Sequence, residues 1–170
     1  MIRKYFVAAS IATMMILTSV PVRQIHAQAP ANTAGQSSVD QDIDLMRKDV
    51  RSQKKQIIAA NLQLTDAEAV KFWPVYDQYT AELVKINDAK YAAIKDYATN
   101  YDTLTDDKAL SLIRQTLGVD QSVAQLREKY VPIVSKVISG KKTALFFQLD
   151  RRLTALIDLQ LAAAIPMVQP

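Results

Sequence analysis

Apolar residues recur along this chain at spacings of three, four and seven, the period of helices with one buried face. Ile43, Met46, Val50 and Ile57 keep that spacing among Arg47, Lys48, Arg51, Lys54 and Lys55, predicting a first helix over about Asp40 to Ala60. Asp40, Asp42 and Asp44 fall near its start, where carboxylates suit the helix dipole. Leu64-Thr65-Asp66-Ala67-Glu68 then reads as a capping box. The Thr65 hydroxyl can accept from the Glu68 amide while the Glu68 carboxylate accepts from the Thr65 amide. This box opens a second helix carrying Phe72, Tyr76, Tyr79, Leu83, Ile86, Ile94, Tyr97 and Tyr101 to near Asn100. At roughly 35 residues and about 1.5 Å per residue it is about 50 Å long. Pro74 removes one main-chain donor inside it and predicts a bend one turn earlier.

Thr105 caps a third helix, with Asp106 and Asp107 in its first turn. Its stripe is Leu112, Thr116, Val119, Val123, Leu126, Tyr130, Ile133 and Val137, flanked by Ile113, Leu117 and Val134. Gly118 is a weak point, and Pro132 predicts a second bend. Ser139-Gly140 ends this helix, and Ser139 caps a fourth one with Phe146, Leu149, Leu153, Leu156, Ile157 and Leu161, which stops before Pro166. The expected fold is therefore all-α: two long, kinked, antiparallel helices plus shorter N- and C-terminal helices. They form one domain over 39–166, followed by a tail at 167–170.

Setting Thr65 against Ser139 without gaps exposes a repeat. Leu64 meets Ile138, Phe72 meets Phe146, Trp73 meets Phe147, Val75 meets Leu149 and Tyr79 meets Leu153, while Thr80-Ala81 meets Thr154-Ala155. A hydroxyl cap after an aliphatic residue, with an aromatic pair seven and eight positions on, thus occurs twice. Two related helical halves would produce this, and so would any two amphipathic helices that align by chance.

The N-terminus follows a different pattern. Arg3 and Lys4 precede an uncharged, mostly apolar run from Phe6 to Val20, which Pro21 breaks before a polar stretch from Val22 to Ala27. That is the layout of a secretory signal peptide over 1–27, with cleavage after Ala27. The run is too short for the roughly 20 residues that cross a bilayer. Gln28 to Ser38, rich in Ala, Gly, Ser and Gln, reads as a flexible linker. The expected location is periplasmic or secreted.

Removing the leader changes the chemistry. Arg3, Lys4 and Arg23 leave, so 18 of the 21 basic residues remain against 17 acidic ones, a net charge of +1 rather than +4. A globally basic, nucleic-acid-binding reading loses its support. His26, the only histidine, leaves as well, and there is no cysteine. Nucleophile–base pairs built on His or Cys are excluded, and transition metals are left with oxygen ligands and two distant methionines, Met46 and Met167. Without disulfides the fold must rest on apolar burial, which a 49% hydrophobic chain can supply. Three glycines in the chain argue against a turn-rich β protein.

Three motifs have simpler explanations than chemistry. Ser139-Gly140-Lys141-Lys142 matches the Ser-x-x-Lys of penicillin-recognising enzymes, but Ser139 is better read as a helix cap. Asp40-x-Asp42-x-Asp44 begins like a calcium loop, yet Leu45 and Arg51 stand where that loop needs Gly and Glu. Acidic residues in general fall on what look like polar helix faces, so no paired carboxylates are expected to act as acid and base. No glycine loop cradles a phosphate, so no cofactor, metal or nucleotide is expected.

Two features are candidates for binding, beside the plainer readings of core packing for the aromatic cluster and a solvated face for the charges. On the second helix Phe72, Tyr76 and Tyr79 share a face, while Trp73 is turned about 100° away toward an edge. From Arg127 to Arg152 seven cations, among them Lys141, Lys142, Arg151 and Arg152, face two anions, a local charge of +5. Such a surface beside apolar residues attracts acidic protein segments or anionic head groups.

The Leu64-Thr65-Asp66-Ala67-Glu68 box, its degraded second copy Ile138-Ser139-Gly140-Lys141-Lys142 and the exported four-helix layout resemble the Spy/CpxP-type periplasmic proteins. Their hallmark is a twice-occurring Leu-Thr-x-x-Gln (LTXXQ) motif; here Glu68 replaces the Gln. The resemblance covers roughly Asp40 to Pro166. It implies a thin, often dimeric helical protein acting as an ATP-independent chaperone or envelope-stress sensor. The His and Met residues through which some relatives bind metal are missing here.

The expected function is thus a non-enzymatic, chaperone-like or envelope-stress-related protein that captures apolar or acidic segments of unfolded or partner proteins. Trp73 and Phe147 would hold the client, and Lys141, Lys142, Arg151 and Arg152 would steer it. Thr65, Glu68, Thr105 and Ser139 serve as helix caps. Alternatives are a structural envelope protein that self-associates, as a homodimer, or pairs with a partner through amphipathic helices, and a peripheral binder of anionic membrane.

Overall fold

The computed structural model describes residues 33–169, so the expected signal peptide, its cleavage site and the start of the expected linker lie outside the described residues. Four helices follow one another: α1 (Thr33–Leu62), α2 (Asp66–Asn100), α3 (Asp106–Ser135) and α4 (Gly140–Ala164), with a 3-10 turn at Tyr101–Thr103 after α2. There is no strand among the described residues. Residues 42–170 form one compact unit, to which all the packing below belongs.

The caps sit where short-range chemistry puts them. Thr65 accepts from the Glu68 amide at 3.3 Å, and the Glu68 carboxylate accepts from the Thr65 amide at 2.9 Å, completing the box. Thr105 accepts from the Lys108 amide, and Ser139 from the Lys142 amide, each at 3.3 Å. Between α1 and α2, Gln63 takes φ +45°, the left-handed residue that often closes a helix. Pro74 and Pro132 both lie inside helices that continue through them.

Cross-helix contacts give the directions. Lys129 pairs with Glu82 at 2.7 Å and Lys108 with Asp96, so α3 runs antiparallel to α2. Lys55 pairs with Asp77 at 2.7 Å and Arg47 with Asp88, so α1 does the same. Lys142 pairs with Glu68 at 2.6 Å, Phe146 meets Phe72 edge to face, and Asp158 pairs with Lys90, so α4 runs parallel to α2. The result is an up-down-up-down array.

Its core joins Ile58 and Leu62 of α1, Phe72, Tyr76, Tyr79 and Leu83 of α2, Val123, Leu126, Tyr130 and Val134 of α3, Ile138, and Phe146 of α4. Phe72 and Phe146 are fully buried, edge to face at 5.3 Å. Tyr79 meets Tyr130 at 5.2 Å and Phe146 at 5.8 Å. Such ring pairs each add roughly 0.5–1.5 kcal/mol beyond area burial.

The two aligned halves share burial as well as sequence. Thr65 and Ser139 both cap; Phe72 and Phe146 are both sealed; Trp73 and Phe147, like Val75 and Leu149, are half-buried. Two equivalent pairs touch each other, Phe72 with Phe146 and Glu68 with Lys142. Equivalent residues meet in this way when two parallel helices are related by a local two-fold axis between them.

The first helix departs from expectation. It begins at Thr33, inside the stretch read as linker, and its 30 residues equal those of α3, so the N-terminal helix is not a short one. Helix formation needs no apolar face, and 33–39 contains no proline to stop it. Its inward face also differs. Met46, Val50 and Ile57 are exposed, whereas Ile58 and Leu62, four apart, are sealed. Met46, Val50 and Ile57 form a true stripe, but only the last turns of α1 reach the core, and they present the neighbouring stripe. Thr116 of α3, placed on the expected inner face, is exposed too.

Candidate binding surface

The residues expected to hold a client lie in the packed half of the array. Trp73 is half-buried, edge to face with Phe72 at 5.1 Å and Tyr76 at 5.4 Å. The Lys55 ammonium stands 5.2 Å from the centre of its ring. Phe147 packs on Phe146 at 4.7 Å and on Tyr79 at 6.1 Å. Both side chains support the core, and each leaves part of a ring at the surface.

The cations divide into two groups. Lys142 is committed to structure: it pairs with Glu68 and donates to the Gln63 carbonyl at 3.0 Å, joining the start of α4 to the α1–α2 turn. Lys142 first, and then the Thr65 amide, hold the Glu68 carboxyl below its ordinary range. Lys129 and Arg127 are likewise paired, with Glu82 and Asp150. Lys136, Lys141, Arg151 and Arg152 are exposed, with no ion-pair partner among the described residues. The basic field at the surface is therefore weaker than the sequence count.

Asp150 contradicts the expectation that acidic residues lie on polar faces. It is fully buried where all four helices meet. Lys54 of α1 approaches its Oδ1 at 2.7 Å, Arg127 Nε of α3 donates to Oδ2 at 2.9 Å, and the Tyr79 hydroxyl of α2 donates to Oδ2 at 3.0 Å. On α4 itself Thr154 donates to the Asp150 carbonyl at 2.8 Å and accepts from Arg127 at 3.3 Å. Burial alone would raise the Asp150 pKa, but Lys54 and then Arg127 outweigh it and hold the carboxyl below its ordinary value. Burial and the nearby Asp150 charge push the Tyr79 phenol well up. Oδ2 thus takes two hydrogen bonds, whereas Oδ1 faces the Lys54 ammonium as an ion pair without a hydrogen bond of its own, and the node ties all four helices together. The repeat carried the signal that reveals it, because Asp150 aligns with the core residue Tyr76.

The open surface lies at the other end. Beyond Leu83 and Val123 the continuous core stops, and among the described residues Ala93, Leu112 and Val119 are the buried apolar side chains that remain. Leu110, Ile113 and Leu117 of α3 form an exposed stripe, Leu117 being 60% exposed. Leu156 and Leu159 of α4 are also exposed, Leu159 at 67%. Between α2, α3 and α4 a cavity of about 350 Å³ is lined by Ala93, Ile94, Tyr97, Leu112, Ile113 and Leu161, among others, with Lys90 and Asp158 also on its wall. Small residues make the space: Ala93, Ala109 and Ala162 stand where larger ones would fill it. In sequence, the sign of such a cavity is alanine standing in place of leucine along a helical stripe.

Comparison with protein-family models, curated proteins and solved structures finds no match to this chain. Function has to be read from its own geometry. Among the described residues no three His, Cys, Asp or Glu side chains gather as metal ligands, and no helix is long and apolar enough to cross a membrane.

Proposed function

We propose that this chain is an exported, non-enzymatic helical protein that captures apolar segments of other proteins without nucleotide. The observation that carries the reading is the uneven core: one half is sealed by aromatic packing, the other leaves an apolar cavity and exposed leucines. Apolar surface left open to water costs solubility and is kept where something binds. Lys141, Arg151 and Arg152 add an attractive field for acidic stretches of a client.

The test is aggregation of a heat-denatured enzyme in the presence of the chain lacking residues 1–27. Suppression of light scattering near one chain per client is expected, with loss of the effect in Ile113→Asp/Leu117→Asp. No suppression of any substrate sinks the reading. A second reading, self-association through amphipathic helices, is favoured by the regular Leu110–Ile113–Leu117 stripe. A tight dimer in sedimentation velocity, abolished by the same double variant and without effect on aggregation, would establish it instead.

A further inference from the structure

The segment after α4 says what kind of guest the open end takes. At Ile165 the chain leaves the helix with φ −95° and ψ 121°, and Pro166 prevents its return. The Tyr97 hydroxyl donates to the Pro166 carbonyl at 2.9 Å, and the Tyr101 hydroxyl donates to the Met167 carbonyl at 3.0 Å. Ile165 and Val168 form part of the wall of the 350 Å³ cavity. Two phenols one turn apart on α2 and its continuation thus read consecutive main-chain carbonyls, and two side chains three positions apart, Ile165 and Val168, border the apolar cavity. A spacing of three suits a polyproline-II segment, which shows every third side chain to one side.

The seat is loose: Met167 is 87% exposed and Val168 54%. Both hydroxyl bonds lie at the surface, where water can replace them. We propose that residues 165–168 are a built-in substitute for a client, and that the groove they cover binds an extended, apolar, proline-containing segment of another protein. Main-chain recognition by Tyr97 and Tyr101 makes that binding tolerant of sequence, while the cavity demands apolar side chains. The inference rests on the capture reading for its biological use, but the binding itself is tested separately.

The probe is a fluorescein-labelled peptide of the chain's own residues 165–169, followed by fluorescence anisotropy. A chain ending at Ala164 is expected to bind it at least about tenfold more tightly than the chain with its own segment in place. Adding Tyr97→Phe/Tyr101→Phe to the shortened chain removes about tenfold of that affinity, the worth of roughly two surface hydrogen bonds. Should shortening unfold the protein, Ile165→Asp/Val168→Asp in the full chain unseats the segment while keeping both phenols, and it too is expected to bind the probe. A folded variant of either kind that binds no better than the parent overturns the proposal. A parent that dimerises and becomes monomeric on shortening overturns it as well, assigning the groove to a second copy. Probe binding without aggregation suppression sinks the capture reading and leaves the groove standing; suppression without probe binding does the reverse.

Discussion

Position 150 carries a carboxylate on the inner stripe of α4, between Phe146 and Leu153, and its stability there depends on partners from three other helices. Removing the charge leaves Lys54 and Arg127 facing each other, with only 13% and 20% of their side chains exposed. Asp150→Ala is expected to cost about 3–5 kcal/mol in urea unfolding, the usual penalty for breaking a buried ion pair from one side. Because the folded-state pKa of Asp150 is depressed, its contribution is complete above the unfolded carboxyl pKa. It is lost as pH falls through the depressed folded value. The acid limb of stability below pH ~4 should therefore flatten in Asp150→Asn relative to the parent. Gly118 offers the opposite case. It lies exposed within α3, and a Cβ there meets nothing within 4 Å. Gly118→Ala should stabilise by about 0.5–1 kcal/mol, read as a higher urea midpoint at unchanged slope.

Among the elements, the α2–α4 start is the joint that most depends on identity. Glu68 serves two partners at once, the Thr65 amide of its own capping box and the Lys142 ammonium of α4. Glu68→Lys should lower the melting temperature by removing both and setting two ammonium groups together. Lys142→Glu alone should also lower it. The double exchange restores the ion pair with reversed sign, and it builds a new box at Ser139-x-x-Glu on α4 in place of the one lost from α2. Its melting temperature should lie well above that of either single variant and close to the parent. A double variant no better than Glu68→Lys would show that the two starts do not touch in solution.

Across the whole molecule, cohesion and binding capacity are separated by distance. Trp73, the only tryptophan, sits in the aromatic packed half, while the cavity and the exposed stripe lie toward Tyr97, Leu110 and Leu159. A peptide bound at the open end should leave the Trp73 emission maximum unshifted even at saturation by anisotropy. A blue shift on binding would return the contact surface to Trp73 and Phe147, where the sequence pattern alone had placed it. Clients held by exposed leucines should also be released less by salt than by mild denaturant, since apolar contacts are weakly screened.

Read from residues alone, the four helices, the capped starts of α2, α3 and α4 and most of the buried positions of α2 and α3 were legible; the start of α1 and the exposed Thr116 were not. Local rules suffice for these: a capping hydroxyl finds an amide three residues on, and a periodic apolar stripe must leave water. Which turns of a helix actually meet a neighbour is a different question. The stripe on α1 exists, but Met46, Val50 and Ile57 stay exposed and the core takes Ile58 and Leu62 of the neighbouring stripe, because the contact region is set by where the other three helices lie. Asp150 could not be assigned to the core by its own chemistry. Its burial is tolerable only when Lys54, Tyr79 and Arg127 converge from 96, 71 and 23 residues away in sequence. The cavity, and the segment resting over it, likewise exist only once alanines on separate helices face one another. Periodicity and capping are properties of a short stretch of chain, whereas convergence and leftover space belong to the assembled bundle.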